Sequence, residues 1–301
     1  MNDRAKTLTL GFVIAIGVIA TVALARFVDA RRPELDLVVA DEHLYLKAKT
    51  ARRLSLAFNG LAADWYWMRS LQYVGGKLLA HSDRVELNDL SQLNMKLLAP
   101  LLDNATTLDP EFLDPYEYAA VVLPAIDVQE AIRITRKGID ANPNAWRLHQ
   151  HLGYIYWQQQ DYAAAAEVYG QGAQIPGAPY WFQAMKARMA AQGGSRATAR
   201  EIYTHMYEQS ADDSVKDMAR RRLMQLDSWD ERDALRKVLS AQQTRTGRCP
   251  ANWREVEQML RAMRAPLAAS GAPLDPSGAP YVLQSAKCEV ELGPNSDIIV
   301  K

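Results

Sequence analysis

Hydrophobic positions along the chain fall into four successive patterns, each predicting different structure. Residues 8–25 form an unbroken uncharged run, LTLGFVIAIGVIATVALA. As a helix rising about 1.5 Å per residue it would extend roughly 27 Å, close to the depth of a bilayer core. Further on, Leu61, Trp65, Met68 and Gln72 share one helical face, and Gly75-Gly76 supplies a stop. The third pattern repeats every 34 residues, with alanine at 131, 165 and 199 and a small residue at Ala119, Gly153 and Ala187. Val122, Tyr156 and Ala190 keep the same step, and Ala165-x-Glu167-Val168-Tyr169 parallels Ala199-x-Glu201-Ile202-Tyr203. In the last pattern, Trp253, Val256, Leu260 and Met263 share a helix face within 250–264. Prolines and glycines then break residues 266–280, and two short strands are predicted at 281–284 and 288–292.

A fixed 34-residue step with small residues at two set points predicts stacked helical hairpins, because helices approach closely only where side chains are small. The unit 146–179 carries Leu152-Gly153-x-x-Tyr156, then Ala165, Tyr169 and Gly172, with Pro176 near its end. On these residues it resembles a tetratricopeptide repeat. Residues 112–145 are a weaker copy, with Ala119, Ala131, Gly138 and Pro143 but Thr135 where an aromatic belongs. In 180–213 the second helix matches through Ala199 and Tyr203, while Lys186-Ala187 replaces Leu-Gly. Residues 214–247 keep the length and a two-helix pattern but place Arg220-Arg221 at the signature. Upstream, 97–105 and Leu108-Asp109-Pro110 read as one further second helix and its closing turn. The resemblance spans roughly residues 60–247.

That resemblance implies a concave groove lined by the first helix of each hairpin. Its inward positions fall on Arg147, Gln150, Tyr154, Trp157 and Gln158, on Trp181, Arg188 and Gln192, and on Tyr116 and Arg222. Aromatics with arginine and glutamine suit a protein or peptide partner, since rings bury area at little entropic cost and guanidinium makes directed bonds. The alternative is that Trp157 and Trp181 only pack against the next hairpin. The segment 54–76 resembles one that precedes the repeats in bacterial membrane-anchored repeat proteins, where Leu-Ala-Asp-x-x-Trp leads to Gln-Tyr-x-Gly. It reads as a cap helix whose indoles cover the first repeat, or as a docking face for a membrane partner. Residues 274–281, with Asp275-Pro276, Gly278 and Pro280-Tyr281, resemble the Asp-Pro-x-Gly-x-Pro-Tyr element of type II secretion major pseudopilins, although turn chemistry alone would also produce them.

Arg4 and Lys6 precede the apolar run, and Arg26, Arg31, Arg32 and the helix-ending Pro33 follow it. Basic residues on both sides leave orientation nearly open. A cleaved signal peptide, with Ala23-Leu24-Ala25 as its processing site, is the rival to a retained anchor. Cys249 and Cys288, the only cysteines, sit together in the last sixty residues. Such a pair suits a disulfide and an oxidising compartment, or else two unrelated buried thiols. The expected location is therefore the bacterial inner membrane, single-pass, with the bulk of the chain periplasmic.

Composition removes other classes. Net charge is +0, so no global field draws the chain to nucleic acid. No phosphate-binding glycine loop, zinc ribbon or G-x-S-x-G elbow is present. Of the histidines (43, 81, 149, 151 and 205), His149 and His151 lie two apart, about 200° around a helix, and cannot share a metal from one face. No enzyme activity, cofactor or metal is expected. The expectation is an all-α, tetratricopeptide-like hairpin array behind an N-terminal transmembrane helix, with a small α+β C-terminal module. Its divisions are an anchor at 1–32, a linker and aromatic cap segment at 33–77, repeats at 78–247 and the module at 248–301. Its function would be that of an adaptor in an envelope complex for secretion, pilus assembly or export, or alternatively a self-associating structural subunit.

Overall fold

A computed structural model describes residues 14, 16–27, 46–80 and 89–300. Residues 16–27 are helical with their large apolar side chains exposed, and the Thr21 hydroxyl donates to the Gly17 carbonyl at 2.8 Å. Among the described residues no helix is long and apolar enough to cross a membrane. The 8–25 run is only partly covered, since residues 8–13 and 15 lie outside them, as do Arg4, Lys6, Arg31, Arg32, Pro33, His43 and His81. The chain is mostly helical and divides into two compact units, 1–109 and 110–301.

In the first unit, α1 (Ala48–Leu54) and the long α2 (Asn59–Ala80) both pack on α3 (Leu98–Leu108). The buried face of α2 is Ala63, Tyr66, Ser70 and Val74. Leu98, Leu101, Leu102 and Ala105 of α3 are fully or almost fully buried. Pro100 is tolerated because it falls in the first turn, where no backbone donor is needed. The Asn104 amide and the Tyr66 hydroxyl both donate to the Leu46 carbonyl, at 2.7 and 3.4 Å, holding the approach to α1.

Two expectations fail here. Helix α2 runs through Gly75-Gly76 and the 77/78 boundary to Ala80. A glycine costs a helix only about 1 kcal/mol, which packing along the rest of the helix outweighs. The face carrying Leu61, Trp65, Met68 and Gln72 is exposed and not packed. The opposite side, Ala63, Tyr66, Ser70 and Val74, is the one that packs on α3.

The second unit is built of antiparallel helix pairs: α4 (Leu113–Val122) with α5 (Val128–Ala141), α6 (Trp146–Gln158) with α7 (Tyr162–Gly172), and α8 (Trp181–Gln192) with α9 (Arg196–Gln209). Each helix also packs on the next in chain order. Ala131, Ala165 and Ala199 are all completely buried. The glycines fit large neighbours: a Cβ on Gly153 would stand 2.8 Å from the Tyr169 ring, and one on Gly138 would stand 2.8 Å from Tyr116 and 3.0 Å from Leu148. Gly172, 34 residues after Gly138, receives Phe182, which is 34 residues after Leu148. Asp127, Asp161 and Asp212 cap the amino ends of α5, α7 and the helix that follows α9.

That following helix corrects the reading of 214–247. It is one continuous helix, α10 (Asp213–Thr246), closed by Gly247 in the left-handed conformation at φ 75°. No glycine or proline lies within it to open a hairpin. Its first half completes a core with Ala187, Ala199, Tyr203 and Met206 through Val215, Ala219 and Leu226. Its second half supplies Leu235, Val238 and Leu239 to the core of the C-terminal module, so residue 247 divides no core.

In that module a 3-10 turn (Trp253–Val256) leads into the short α11 (Glu257–Ala262), with Trp253, Val256 and Leu260 buried but Met263 exposed. Strands β1 (Val282–Gln284) and β2 (Glu289–Glu291) pair antiparallel, with Leu283 opposite Val290. Cys249 and Cys288 form a disulfide, their Cα atoms 5.6 Å apart. The 274–281 element proves to be a hydrogen-bonded turn. The Asp275 carboxylate accepts from Ser277 N and Oγ at 2.8 and 2.6 Å, from Ala279 N at 3.0 Å, and from Ser296 Oγ. Burial alone would raise this carboxyl, but those donors outweigh it and hold Asp275 below the ordinary aspartate range. Tyr281 then reaches back to α10, where its hydroxyl donates to Glu231 Oε2 at 2.8 Å and lies 3.1 Å from Ser228 Oγ.

Gly153→Ala should lower the thermal midpoint, since overpacking against Tyr169 costs about 1–3 kcal/mol. Gly76→Ala, whose Cβ meets nothing within 4 Å, should instead stabilise by about 0.8–1.0 kcal/mol. Circular dichroism melts of both variants give the two signs. Replacing Cys249 and Cys288 by serine should destabilise the module by up to about 4 kcal/mol, the chain-entropy value for a loop of 39 residues, read as a lower urea midpoint.

Candidate functional site

Helices α6 and α8 bring four of the ten expected groove residues, Tyr154, Trp157, Gln158 and Arg188, into one patch. Two residues with a helical turn between them, Tyr154 and Trp157 of α6, set their rings edge to face with centroids 5.7 Å apart. The Gln158 amide donates to the Tyr154 hydroxyl, one turn earlier. From α8, the Arg188 guanidinium lies 5.1 Å from the centre of the Trp157 ring, a cation–π arrangement that joins the two helices. Tyr154 is 47% exposed and Trp157 half-buried, so the patch offers an aromatic edge beside a fixed cation.

Behind this patch lies an aromatic core. Tyr169 of α7 contacts both Phe182 and Trp181 of α8, at 5.9 and 6.5 Å between ring centres. Trp181 stacks on Phe182 at 4.5 Å, and Trp146 meets Phe182 edge-on at 5.9 Å. Burial is the main reason the Tyr169 hydroxyl is pushed up to about 12. The nearby Tyr154 adds to the shift, and the positive charge of Arg188 opposes it. Arg188 also acts on the buried Tyr203, as does Arg222.

The remaining expected residues are less concentrated. Gln192 is exposed and Gln150 half-buried, while Arg147 lies over the ring of Trp146, 5.4 Å from its centre. Arg222 donates to Gln225 at 2.9 Å, and Gln225 in turn donates to the Ile299 carbonyl at 2.7 Å, which ties α10 to the C-terminal tail. Tyr116 is fully buried: its ring fills the space that Gly138 leaves, so it belongs to the core and not to a groove. Trp181 is partly covered by the same aromatic core, and only Trp157 keeps a face beside Tyr154 and Arg188.

Two features escaped the sequence reading. His151 sits where Glu117 and Arg147 both act on it. Burial is the main cause of its lowered pKa, Glu117 opposes the shift, and Arg147 adds to it. Arg136 donates to the Tyr156 hydroxyl and lies over that ring, 5.7 Å from its centre. Glu117 and His151 stand 34 residues apart, on the repeat step itself, whereas Arg136 and Tyr156 stand 20 apart and no repeat spacing marks them.

On the far side, an ion-pair ladder ties α9 to α10. Arg196 bonds Asp230 and Asp233 at 2.8 and 2.6 Å, Arg200 bonds Asp227 and Asp230, and Arg236 links Asp233 to Glu289 of β2. These partners are half-exposed, so each pair contributes little alone. Their geometry fixes helix register more than it adds stability. The carboxylates here are held by arginines and make no paired acid–base site.

No family model matches the chain, and no curated protein matches it. Its chemistry is therefore read from the residues alone.

The Tyr169 shift makes alkaline stability a probe of this core. Its hydroxyl favours the folded state fully below the ordinary tyrosine value near pH 10, and that contribution is lost as pH rises toward about 12. Tyr169→Phe should therefore lose less stability between pH 10 and 12 than the wild type, by up to roughly 2–3 kcal/mol. Urea unfolding at both pH values measures the difference. The raised Tyr203 and Tyr281 hydroxyls, unchanged in the variant, leave part of the alkaline loss in place.

Proposed function

We propose that this chain is a membrane-anchored adaptor of tetratricopeptide type, which holds a protein or peptide partner against the first helices of its hairpins. The observation that carries the reading is the Tyr154–Trp157–Gln158–Arg188 patch, where exposed rings and a positioned guanidinium lie on two successive first helices. A partner segment crossing it would cover aromatic area and find donors in Gln158 and Arg188, the composition of binding hot spots. The apolar run 8–25 supports an inner-membrane anchor. The Cys249–Cys288 disulfide supports exposure of the module to an oxidising compartment, which for a bacterial inner-membrane protein is the periplasm.

Self-association would be permitted by an apolar outer face on residues 214–247, if one were left free. Leu235, Val238 and Leu239 of that stretch are instead occupied by the C-terminal module, which favours the adaptor over a self-stacking subunit. A role in an envelope complex remains part of the proposal.

A photoactivatable residue at Gln158 should give a discrete cross-linked species in intact cells. The species should fall at least tenfold with Arg188→Ala and be missing when the probe sits at Glu167 on α7. Equal cross-linking from both positions, or none from Gln158, would count against the groove.

A further inference from the structure

Helix α2 is apolar on two opposite faces. One face packs on α3, and the other, carrying Leu61, Trp65, Met68 and Leu79, is exposed, with Leu61 at 71% and Leu79 at 90%. The turn before it adds Leu56 and Phe58, both exposed. Among the described residues, nine exposed large hydrophobic side chains fall within 46–80, against eight spread over 89–300. An apolar surface so concentrated marks an interaction site.

Charge says which kind. On a chain with net charge +0, residues 46–80 hold Lys47, Lys49, Arg52, Arg53, Arg69 and Lys77 against Asp64 alone, a local charge of +5. Lys47, Lys49, Arg52 and Arg53 are exposed beside the apolar turn. Basic side chains flanking a stripe of leucine, phenylalanine, tryptophan and methionine are the composition of a helix that lies in a bilayer interface, with tryptophan at headgroup depth. The connecting turn adds a further point. Leu56 and Ala57 are both left-handed, at φ 47° and 77°, although neither is glycine. That strained turn leaves Leu56 80% exposed, so burial among the described residues does not repay the strain.

We infer that the exposed face of α2, with the Leu56–Phe58 turn, lies on the surface of an anionic bilayer. The inference rests on the proposed membrane anchorage and adds to it: the first unit would be laid against the same membrane that residues 8–25 enter. The occupant is lipid. A protein partner or a second copy on this face would be a different outcome.

The test uses the full-length chain in phosphatidylcholine–phosphatidylglycerol vesicles at 3:1. A nitroxide is attached to Leu61→Cys or Met68→Cys, the native cysteines being paired, with Glu201→Cys on α9 as the reference. Power-saturation spectroscopy should give an oxygen-to-nickel-chelate collision ratio at 61 and 68 at least tenfold above that at 201. The ratio should drop when Lys47, Lys49, Arg52 and Arg53 are replaced by glutamine. If the protein floats with the vesicles but both labels collide with the nickel chelate as freely as at 201, the anchor stands and the α2 inference falls. Labels shielded from both reagents, equally in detergent and in lipid, would mean a protein occupant and would also overturn it. A chain that does not float at all removes the anchorage reading, and this inference with it.

Discussion

Helix spacing in the second unit depends on rings lying where a neighbouring helix has no side chain. Tyr116 enters the space above Gly138, Tyr169 the space above Gly153, and Phe182 the space above Gly172. Each contact is closer than any Cβ could allow, so the backbones approach as far as an aromatic thickness permits. The buried alanines at 131, 165 and 199 set the complementary close contacts. The Tyr154–Trp157–Arg188 patch follows from this spacing. Arg188 reaches over Trp157 because α6 and α8 are held to a common neighbour, α7, by Tyr169 and Phe182.

Much of this was legible in the sequence because the constraint is periodic. Small residues at a 34-residue step are visible without knowing what fills the space beside them, and the three alanines were found buried as the step implied. The pair Cys249 and Cys288, the two strands and the helix start at Trp253 were also readable, from local spacing. Periodicity misled at residues 214–247, where the length of a hairpin suggested a hairpin. No glycine or proline between Asp213 and Thr246 favours a break, and packing of both halves of the helix into buried cores keeps it continuous.

Other departures have a common physical origin. Hydrophobicity assigns Leu61, Trp65 and Met68 to the core of α2, yet the core side is Ala63, Tyr66, Ser70 and Val74. Ala63 and Ser70 allow α3 to approach on that side, where the Tyr66 hydroxyl also finds the Leu46 carbonyl, so the buried face is set by fit and hydrogen bonding as much as by apolarity. Tyr116 reverses the case: a position expected on a groove was drawn inward because Gly138 left a space the size of a ring. The pairing of Arg188 with Trp157 is a contact off the repeat step, whereas Glu117, which acts on His151, stands one 34-residue step before it and could have been found from that spacing.

Helix α10 belongs to two cores at once. At about 1.5 Å per residue its 34 residues form a rod of roughly 51 Å. One half is clamped by Ala199, Tyr203 and Met206, the other by Trp253, Val256 and Tyr281. A continuous helix without proline or glycine curves only gently, so the two ends move together except for that curvature. A displacement of the disulfide-closed module would therefore be carried along this one rod to the last hairpin, like the handle of a lever.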